Sequence, residues 1–192
     1  MGLRWIDMVN YDMDWLIQQY QAKNKLKYLY FWGHTPKGTD IDKSCFSQWY
    51  PTPFEVDGMR YVTAEHYMMA QKAKLFSDMD SFDKIIHATH PKQAKDFGRK
   101  VIGFNESIWN AHRFNIVAQG SFAKFSQHPE LKAFLLGTNQ RVLVEASPVD
   151  KIWGIGMAQD DAYIDNPLKW QGLNLLGFAL MNVRDKLTVS LP

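Results

Sequence analysis

The stretch YVTAEHYMMAQK, residues 61–72, runs from the end of a short strand into a helix. Thr63 suits the N-cap position, because its hydroxyl can accept a hydrogen bond from a backbone N–H that the first turn leaves free. The residues that follow are rich in Tyr, Met and Ala, most of which should be buried. The pattern predicts a core helix over residues 64–76, with Glu65 and His66 in its first turn.

A β-hairpin is predicted directly before this helix, over residues 54–61. Asp57 and Gly58 lie between its two halves, and glycine tolerates the positive φ that a tight turn requires. The hairpin leads straight into the helix, so it brings Glu65 to a loop-rich end of the domain. Functional sites concentrate at such ends.

Hydrophobic periodicity and helix-boundary residues predict further helices along the chain. Their approximate ranges are 9–22, 80–88, 91–100, 107–127, 129–136 and 175–187. The candidate N-caps are Thr89, Asn105 or Ser107, and Asn174. Strand-like segments lie at residues 28–32 and 141–147, and a long loop covers residues 148–173. The fold class is therefore mainly α, with a compact helical domain, a small β-hairpin and short strands.

The length of 192 residues suits one domain with an extension. We assign residues 1–27 to an N-terminal helical extension and residues 28–192 to the main domain. No apolar run approaches the roughly 18–20 residues that a membrane span needs. The first residues lack the apolar core of a signal peptide. We therefore expect a cytoplasmic protein without a membrane partner.

Charge and metal-binding residues exclude several classes of function. The net charge of +2 is too small to indicate a nucleic-acid surface. The single cysteine, Cys45, rules out an internal disulfide and a multi-cysteine metal site. The six histidines show no HExxH or other metal-ligand spacing. The sequence predicts no metal and no cofactor, and it leaves the oligomeric state open.

Glu65 is the first candidate functional residue. A carboxylate near a helix N-terminus is stabilised by the partial positive charge there, so this position also suits a purely structural role. Lys72 lies seven residues later, on nearly the same face of the helix. The residues alone indicate a candidate site that combines a carboxylate, a lysine and a tryptophan.

Trp109 and Lys124 lie near the two ends of the long predicted helix over residues 107–127. Fifteen helical residues rotate them by only about 60° but separate them by roughly 22 Å. Both can contact one ligand only if that ligand is elongated or if the helix breaks, for which Gly120 is the candidate position. A tryptophan near a helix start and a lysine near a helix end also have ordinary structural roles.

The long loop carries a second candidate segment around Asp150, Trp153 and Gly154. An acid and a tryptophan lie three residues apart, and glycines follow. Glycine permits close approach of the backbone to a ligand. The tryptophan must pack on something, either the core or a bound ring.

These segments, taken in order, resemble one protein family. The order is FSQWYPTPFEVDG, YVTAEHYMMAQKA, Lys95-x-x-Gly98-Arg99, Trp109, Ala123-Lys124-Phe125, Asp150-x-x-Trp153-Gly154-Ile155-Gly156, and Trp170-x-Gly172-x-Asn174-x-Leu176-Gly177. The set is similar to the NADAR (YbiA-like) proteins over about residues 28–187. Gln48 departs from the pattern, because the family often has Asn at that position.

The resemblance implies a hydrolase that cleaves the bond between C1′ of a ribose and a nitrogen. Members of the family are described as N-glycosidases. Some act on ribosylamino-pyrimidine intermediates of riboflavin biosynthesis, and others remove ADP-ribose from guanine in DNA (de-ADP-ribosylation). The expected partner is thus a ribosyl or ADP-ribosyl substrate, with ADP-ribosylated DNA as one candidate.

The resemblance also implies roles for individual residues. It assigns Glu65 to the carboxylate near C1′ and Asp150 to ribose hydroxyls or water, with Lys124 as the third catalytic candidate. The substrate-binding candidates are Trp109, Trp153, Arg99, Phe46, Ser47, Gly154 and Asn174, of which the tryptophans would stack and Arg99 would hold a phosphate.

Two questions stay open at this point. Lys124 either protonates or electrostatically stabilises the leaving group, or it attacks C1′ as a neutral amine and forms a Schiff base with the opened ribose. We favour the Schiff base for an ADP-ribosyl substrate. The alternative class of function is a non-catalytic module that binds NAD or ADP-ribose, for which Glu65 would be dispensable.

Overall fold

The computed structural model describes residues 11–189, and within that range the chain is mainly helical. The helices are α1 (Met13–Gln21), α2 (Ala64–Leu75), α3 (Met79–Ile86), α4 (Pro91–Gly98), α5 (Glu106–Gln127), α6 (Pro129–Leu136) and α7 (Leu175–Val189). The strands are β1 (Tyr28–Phe31), β2 (Phe54–Val56), β3 (Met59–Tyr61) and β4 (Val142–Glu145). The prediction of a mainly α protein with a small hairpin and short strands is confirmed.

Two compact units make up the described chain. The first unit comprises residues 11–46 and 130–189, and the second unit comprises residues 47–129. The assignment of residues 1–27 to an extension stays a prediction, and the expected helical residues 9–10 lie outside the described range. Among the described helices, none has both the length and the apolar character that crossing a membrane would require. The cytoplasmic location stays a prediction.

The first unit is organised around a two-stranded parallel sheet. β1 pairs with β4 in a register that aligns Tyr28 with Val142 and Phe31 with Glu145. α7 packs against β4. Gly177 lies in this contact, and a Cβ there would overlap the carbonyl oxygen of Leu143, so only glycine allows the helix to approach the strand so closely.

The second unit is organised around α2, which packs against α3, α4 and α5. Most of its residues are buried, as the sequence predicts. Close packing depends on glycines in the neighbouring helices: Gly98 of α4 faces Met69, and Gly120 of α5 faces the ring of Tyr67. α5 is continuous through Gly120, so the predicted alternative of a break there is wrong.

The hairpin before α2 forms as predicted. β2 and β3 pair antiparallel, and Asp57 and Gly58 have φ values of 52° and 74°, the two positive values that a tight hairpin turn needs. Gln127 at the end of α5 fixes the hairpin. Its side chain accepts a hydrogen bond of 2.9 Å from the N–H of Glu55 and donates one of 2.7 Å to the carbonyl of the same residue.

The predicted cap of α2, Thr63, is confirmed. The three other predicted helix caps differ in their outcomes. Asn105 caps α5 by accepting a hydrogen bond of 3.0 Å from the N–H of Ile108. The cap of α4 is His90 instead of Thr89, since the imidazole accepts from the N–H of Lys92. Asn174 precedes α7 with a φ of 52°, and its side chain bonds to β4 instead of capping the helix.

Candidate active site

The N-terminus of α2 is fixed by a buried polar network. The hydroxyl of Thr63 accepts from the N–H of His66 at 3.5 Å and lies 2.8 Å from Nδ1 of the same histidine. Nε2 of His66 is 3.1 Å from the carbonyl of Ala88, which can only accept. The ring therefore carries its proton on Nε2, and Nδ1 accepts from Thr63. Burial lowers the pKa of His66, which favours this neutral form.

Glu65 follows Thr63 in this first turn and is buried, with only 3% of its surface exposed. Its backbone N–H donates a hydrogen bond of 2.9 Å to the carbonyl of Gln48. The partial positive charge at the start of α2 favours an ionised carboxylate here. The segment that begins at Ser47 therefore lies against the start of α2 and holds Glu65 in place.

Lys124 binds to the preceding peptide of the same segment. Its Nζ donates a hydrogen bond of 2.9 Å to the carbonyl of Ser47, and the residue is 1% exposed. The rings of Tyr50 and Phe125 each have their centroid 5.3 Å from Nζ, within cation–π distance. These contacts offset part of the cost of burying an ammonium group.

The carbonyls of Ser47 and Gln48 thus connect the side chain of Lys124 with the backbone of Glu65, two residues that lie 59 positions apart in the sequence. Consecutive Cα atoms are about 3.8 Å apart, so Lys124 Nζ and the backbone of Glu65 attach to neighbouring points of one short segment. A buried acid and a buried lysine fixed in this way can provide a carboxylate and a proton donor to one small group.

Trp109 lies in a different part of the second unit. Nζ of Lys72 is 5.6 Å from a ring centroid of Trp109 and 4.2 Å from that of Phe104, and it donates a hydrogen bond of 2.8 Å to the carbonyl of Gly98. Burial lowers the pKa of Lys72. Because α5 is unbroken, Trp109 and Lys124 stay roughly 22 Å apart along its axis. A shared ligand would have to be elongated.

Arg99 ends α4 on the surface. It is exposed, and its guanidinium lies 3.7 Å from the carboxylate of Asp96. Such exposed pairs contribute little free energy. Its predicted role in phosphate binding stays a prediction.

In the first unit, Asp150 organises the loop around Trp153. One carboxylate oxygen of Asp150, Oδ1, accepts hydrogen bonds from the N–H groups of Ile152 at 2.9 Å and Trp153 at 2.8 Å. Within residues 11–189, the second oxygen accepts no hydrogen bond, so it remains available to a ribose hydroxyl or a water. Trp153 itself is half-buried.

Three of the predicted substrate-binding residues of the first unit have clear packing functions. A Cβ on Gly154 would lie 2.8 Å from the carbonyl of Glu145, so the glycine permits close packing of the loop on β4. Asn174 is fully buried, accepts from the N–H of Glu145 at 3.0 Å and donates to the carbonyl of Leu143 at 2.9 Å. Phe46 is buried between Phe31 and Phe134. Their contacts with substrate stay predictions.

The sequence prediction did not include Trp49, His90 and Lys95 as site residues. Trp49 lies two residues after Ser47, its indole meets the ring of His90 edge-on at 6.1 Å, and Nζ of Lys95 is 5.8 Å from its ring. Trp49 and Lys95 lie within the family motifs FSQWYPTPFEVDG and Lys95-x-x-Gly98-Arg99, and this was the signal that could have identified them. Among residues 11–189, no group of three or more His, Cys, Asp or Glu is arranged to hold a metal ion.

Fold and site together define a mainly α protein in which the side chain of the buried Lys124 and the backbone N–H of the buried Glu65 bind adjacent carbonyls. The chain belongs to the NADAR family, because the family model described as the NADAR domain matches residues 30–188. The family resemblance that the motifs indicate is confirmed.

Similarity to individual proteins extends over most of the chain. N-glycosidase R617 of Acanthamoeba polyphaga mimivirus is 44% identical over 83% of this chain and 96% of its own length. N-glycosidase YbiA of Escherichia coli is 32% identical over 79% of this chain and 86% of its own length. The NMR structure of E. coli YbiA superimposes with a TM-score of 0.68 and 30% identity, covering 85% of this chain and 86% of that one.

Proposed function

We propose that this chain hydrolyses the bond between C1′ of a ribose and a nitrogen atom, with Glu65 next to C1′ and Lys124 beside it. The chain is an enzyme of the N-glycosidase class, because several relatives that match most of its length carry that name. The ribosyl substrate and the roles of individual residues are the proposal.

One observation carries the assignment of residues. Adjacent carbonyls, those of Ser47 and Gln48, bind Nζ of Lys124 and the N–H of Glu65. Burying an acid and a lysine costs free energy of folding. Such buried ionisable groups are common where they take part in catalysis. Both side chains lie on rigid helices, which suits a preorganised site.

The chemistry of N-glycosidic cleavage requires these two kinds of group. As the bond breaks, positive charge develops on C1′ and its ring oxygen, and negative charge develops on the leaving nitrogen. The carboxylate of Glu65 stabilises the cation or removes a proton from the attacking water. The ammonium of Lys124 gives a proton to the nitrogen or stabilises its charge.

Lys124 has a second route open to it. As a neutral amine it attacks C1′, the nitrogen leaves with a proton, and the opened ribose forms an imine that water then hydrolyses. Borohydride reduces an imine to a stable amine, so it would trap this intermediate on Lys124. Failure to trap an adduct, together with turnover retained in Lys124→Ala, would exclude the covalent route.

Two substrate classes fit the proposal, and both contain a ribose bonded to nitrogen. They are a ribosylamino-pyrimidine phosphate and an ADP-ribosylated guanine in an oligonucleotide. The modest net charge favours the small metabolite over duplex DNA.

The decisive experiment incubates the wild type and Glu65→Gln separately with each substrate. We expect wild-type hydrolysis of one of them, and a loss of about 10²–10⁴-fold in Glu65→Gln. The matched control is Glu106→Gln, which changes an exposed carboxylate in the first turn of α5 and should leave turnover unchanged. Calorimetric binding without hydrolysis, insensitive to Glu65→Gln, would instead support a non-catalytic ADP-ribose module.

A further inference from the structure

The segment that holds the candidate catalytic groups continues into a half-buried tryptophan. The N–H of Trp49 donates a hydrogen bond of 3.1 Å to Oγ of Ser47, which fixes the backbone between these two residues. Trp49 is therefore at most about 7 Å of backbone from the peptide that binds Lys124. A nucleotide is longer than this stretch of backbone.

Lys95 of α4 brings a cation to Trp49. Its Nζ is 5.8 Å from the indole ring. Two neighbouring cations, Lys92 in α4 and Arg99 directly after it, form ion pairs with Asp96 at 3.1 Å and 3.7 Å. In the described part of the chain, no carboxylate forms an ion pair with Lys95. Its ammonium group therefore retains hydrogen-bond donors for an anion.

His90 supplies a second donor beside the same indole. Its Nδ1 accepts from the N–H of Lys92 at 3.2 Å, so the neutral ring carries its proton on Nε2. The side chain is exposed, and its ring centroid is 6.1 Å from that of Trp49. As the N-cap of α4, His90 also lies at the partly positive end of that helix.

We propose that Trp49, His90 and Lys95 form the subsite for a phosphate group attached to the ribose of the substrate. This inference rests on the proposed N-glycosidase function and assigns residues to the phosphate that both proposed substrate classes carry. Phosphate oxygens accept the hydrogen bonds that Lys95 Nζ and His90 Nε2 can donate. The indole of Trp49 forms an apolar wall that orients the lysine and packs against the sugar or base.

The shared chemistry of the ligand is a phosphate ester of ribose. It occurs as a monoester in a ribosylamino-pyrimidine phosphate and as a diphosphate in ADP-ribose. In this subsite Lys95 and His90, which both lie beside the ring of Trp49, bind the phosphate. Arg99, at the other end of the helix, is already paired with Asp96.

The test measures binding by calorimetry with three probes: ADP-ribose, ribose 5-phosphate and unphosphorylated ribose. It compares the wild type with Lys95→Met, which removes the charge and keeps the length, and with Lys95→Arg, which restores a cation. Lys92→Met is the matched control, since it removes a neighbouring lysine that pairs with Asp96. His90→Asn keeps an N-cap acceptor but withdraws the Nε2 donor.

We expect Lys95→Met to weaken binding of at least one phosphorylated probe about tenfold or more, with partial recovery in Lys95→Arg. His90→Asn should weaken it less, and Lys92→Met should bind as the wild type does. Thermal unfolding of each variant shows whether it is folded. If Lys95→Met is unfolded, the binding of the phosphorylated probes by His90→Asn and Lys92→Met is compared instead. Weaker binding by His90→Asn than by Lys92→Met supports the subsite, and equal binding overturns it.

The outcomes separate this inference from the proposed function. If neither glycosidic substrate is hydrolysed but Lys95→Met loses affinity for a phosphorylated probe, the subsite stands and the N-glycosidase proposal for this site fails. If hydrolysis occurs and Lys95→Met and His90→Asn bind and turn over substrate as the wild type does, the subsite is overturned. It is also overturned if the wild type binds neither phosphorylated probe more tightly than ribose.

Discussion

Nζ of Lys124, near the end of α5, donates a hydrogen bond of 2.9 Å to the backbone carbonyl of Ser47. This bond connects residues 77 positions apart and draws a non-helical segment onto the helix. The next carbonyl in that segment, of Gln48, binds the N–H of Glu65 at the start of α2. The candidate acid and the candidate lysine are therefore held by one short piece of backbone.

Replacing Lys124 should affect activity far more than stability. In Lys124→Met the carbonyl of Ser47 loses its donor, and we expect the free energy of unfolding to fall by about 1–3 kcal/mol. Turnover should fall at least a hundredfold, because the proton donor or nucleophile is gone. Urea unfolding and the substrate assay measure the two effects. Lys84→Met, on the exposed face of α3, is the control, and full activity in Lys124→Met would contradict the proposed role.

Two glycines of the second unit should respond differently to alanine. In Gly120→Ala the new Cβ would lie 2.9 Å from Cε1 of Tyr67 and closer still to Cδ1. An aromatic ring is rigid, so it cannot bend to relieve this overlap. We expect a net loss of about 1–3 kcal/mol despite the better helix propensity of alanine. In Gly98→Ala the new Cβ would overlap Sδ and lie 2.8 Å from Cγ of Met69, and rotation of that side chain can move both atoms away. Only Cβ of Met69, at 3.0 Å, is fixed by the backbone, so the loss should be smaller. Equal losses in thermal or urea unfolding would contradict this account.

Much of the fold could be predicted because its signals are local. The Asp57–Gly58 turn, the Thr63 cap and the apolar run of α2 each lie within a few residues of the structure they specify. The NADAR motifs indicate Glu65 and Lys124 as candidate site residues, but they do not show which contacts hold these residues.

The rest could not be predicted, because it depends on contacts between distant segments. Nothing near Lys124 indicates that its partner is the carbonyl of Ser47. Nothing near Trp49 indicates that Lys95 and His90 lie beside it. Asn174 has the composition of a helix cap, yet its positive φ and its place beside β4 direct the amide to the strand. Tertiary packing decided each of these outcomes.

His66 should make the protein less stable in mild acid. Burial lowers its pKa in the folded state below the value of 6.5 that an unfolded histidine has. Between the two pKa values the unfolded chain binds more protons than the folded chain. The contribution of neutral His66 to the free energy of unfolding is therefore complete above about pH 6.5, and it is lost as the pH falls through the pKa of the folded state. The slope from one group is at most about 1.4 kcal/mol per pH unit.

Urea unfolding of wild type and His66→Gln from pH 8 to pH 5 measures this contribution. His66→Gln should be less stable at pH 8, since its bonds to Thr63 and Ala88 are lost, but it should lose less stability on acidification. His87 is exposed and belongs to no buried network, so His87→Gln is the control. Its free energy of unfolding should change with pH as that of the wild type does. Parallel curves for wild type and His66→Gln would show that His66 does not titrate with unfolding.

Asn174 should be among the most sensitive positions of the first unit. In Asn174→Ala the N–H of Glu145 and the carbonyl of Leu143 each lose a buried partner, and the positive φ of 52° becomes strained for alanine. Each lost partner costs about 1–3 kcal/mol, so we expect a loss of roughly 2–5 kcal/mol in urea unfolding. Asn174→Gly relieves the backbone strain but does not restore the lost hydrogen bonds, so it should recover only part of the lost stability.

Asn139→Ala is the control, because Asn139 has the same φ of 52° but is exposed. If Asn139→Ala costs as much as Asn174→Ala, the backbone strain alone explains the effect and the bonds to β4 contribute little.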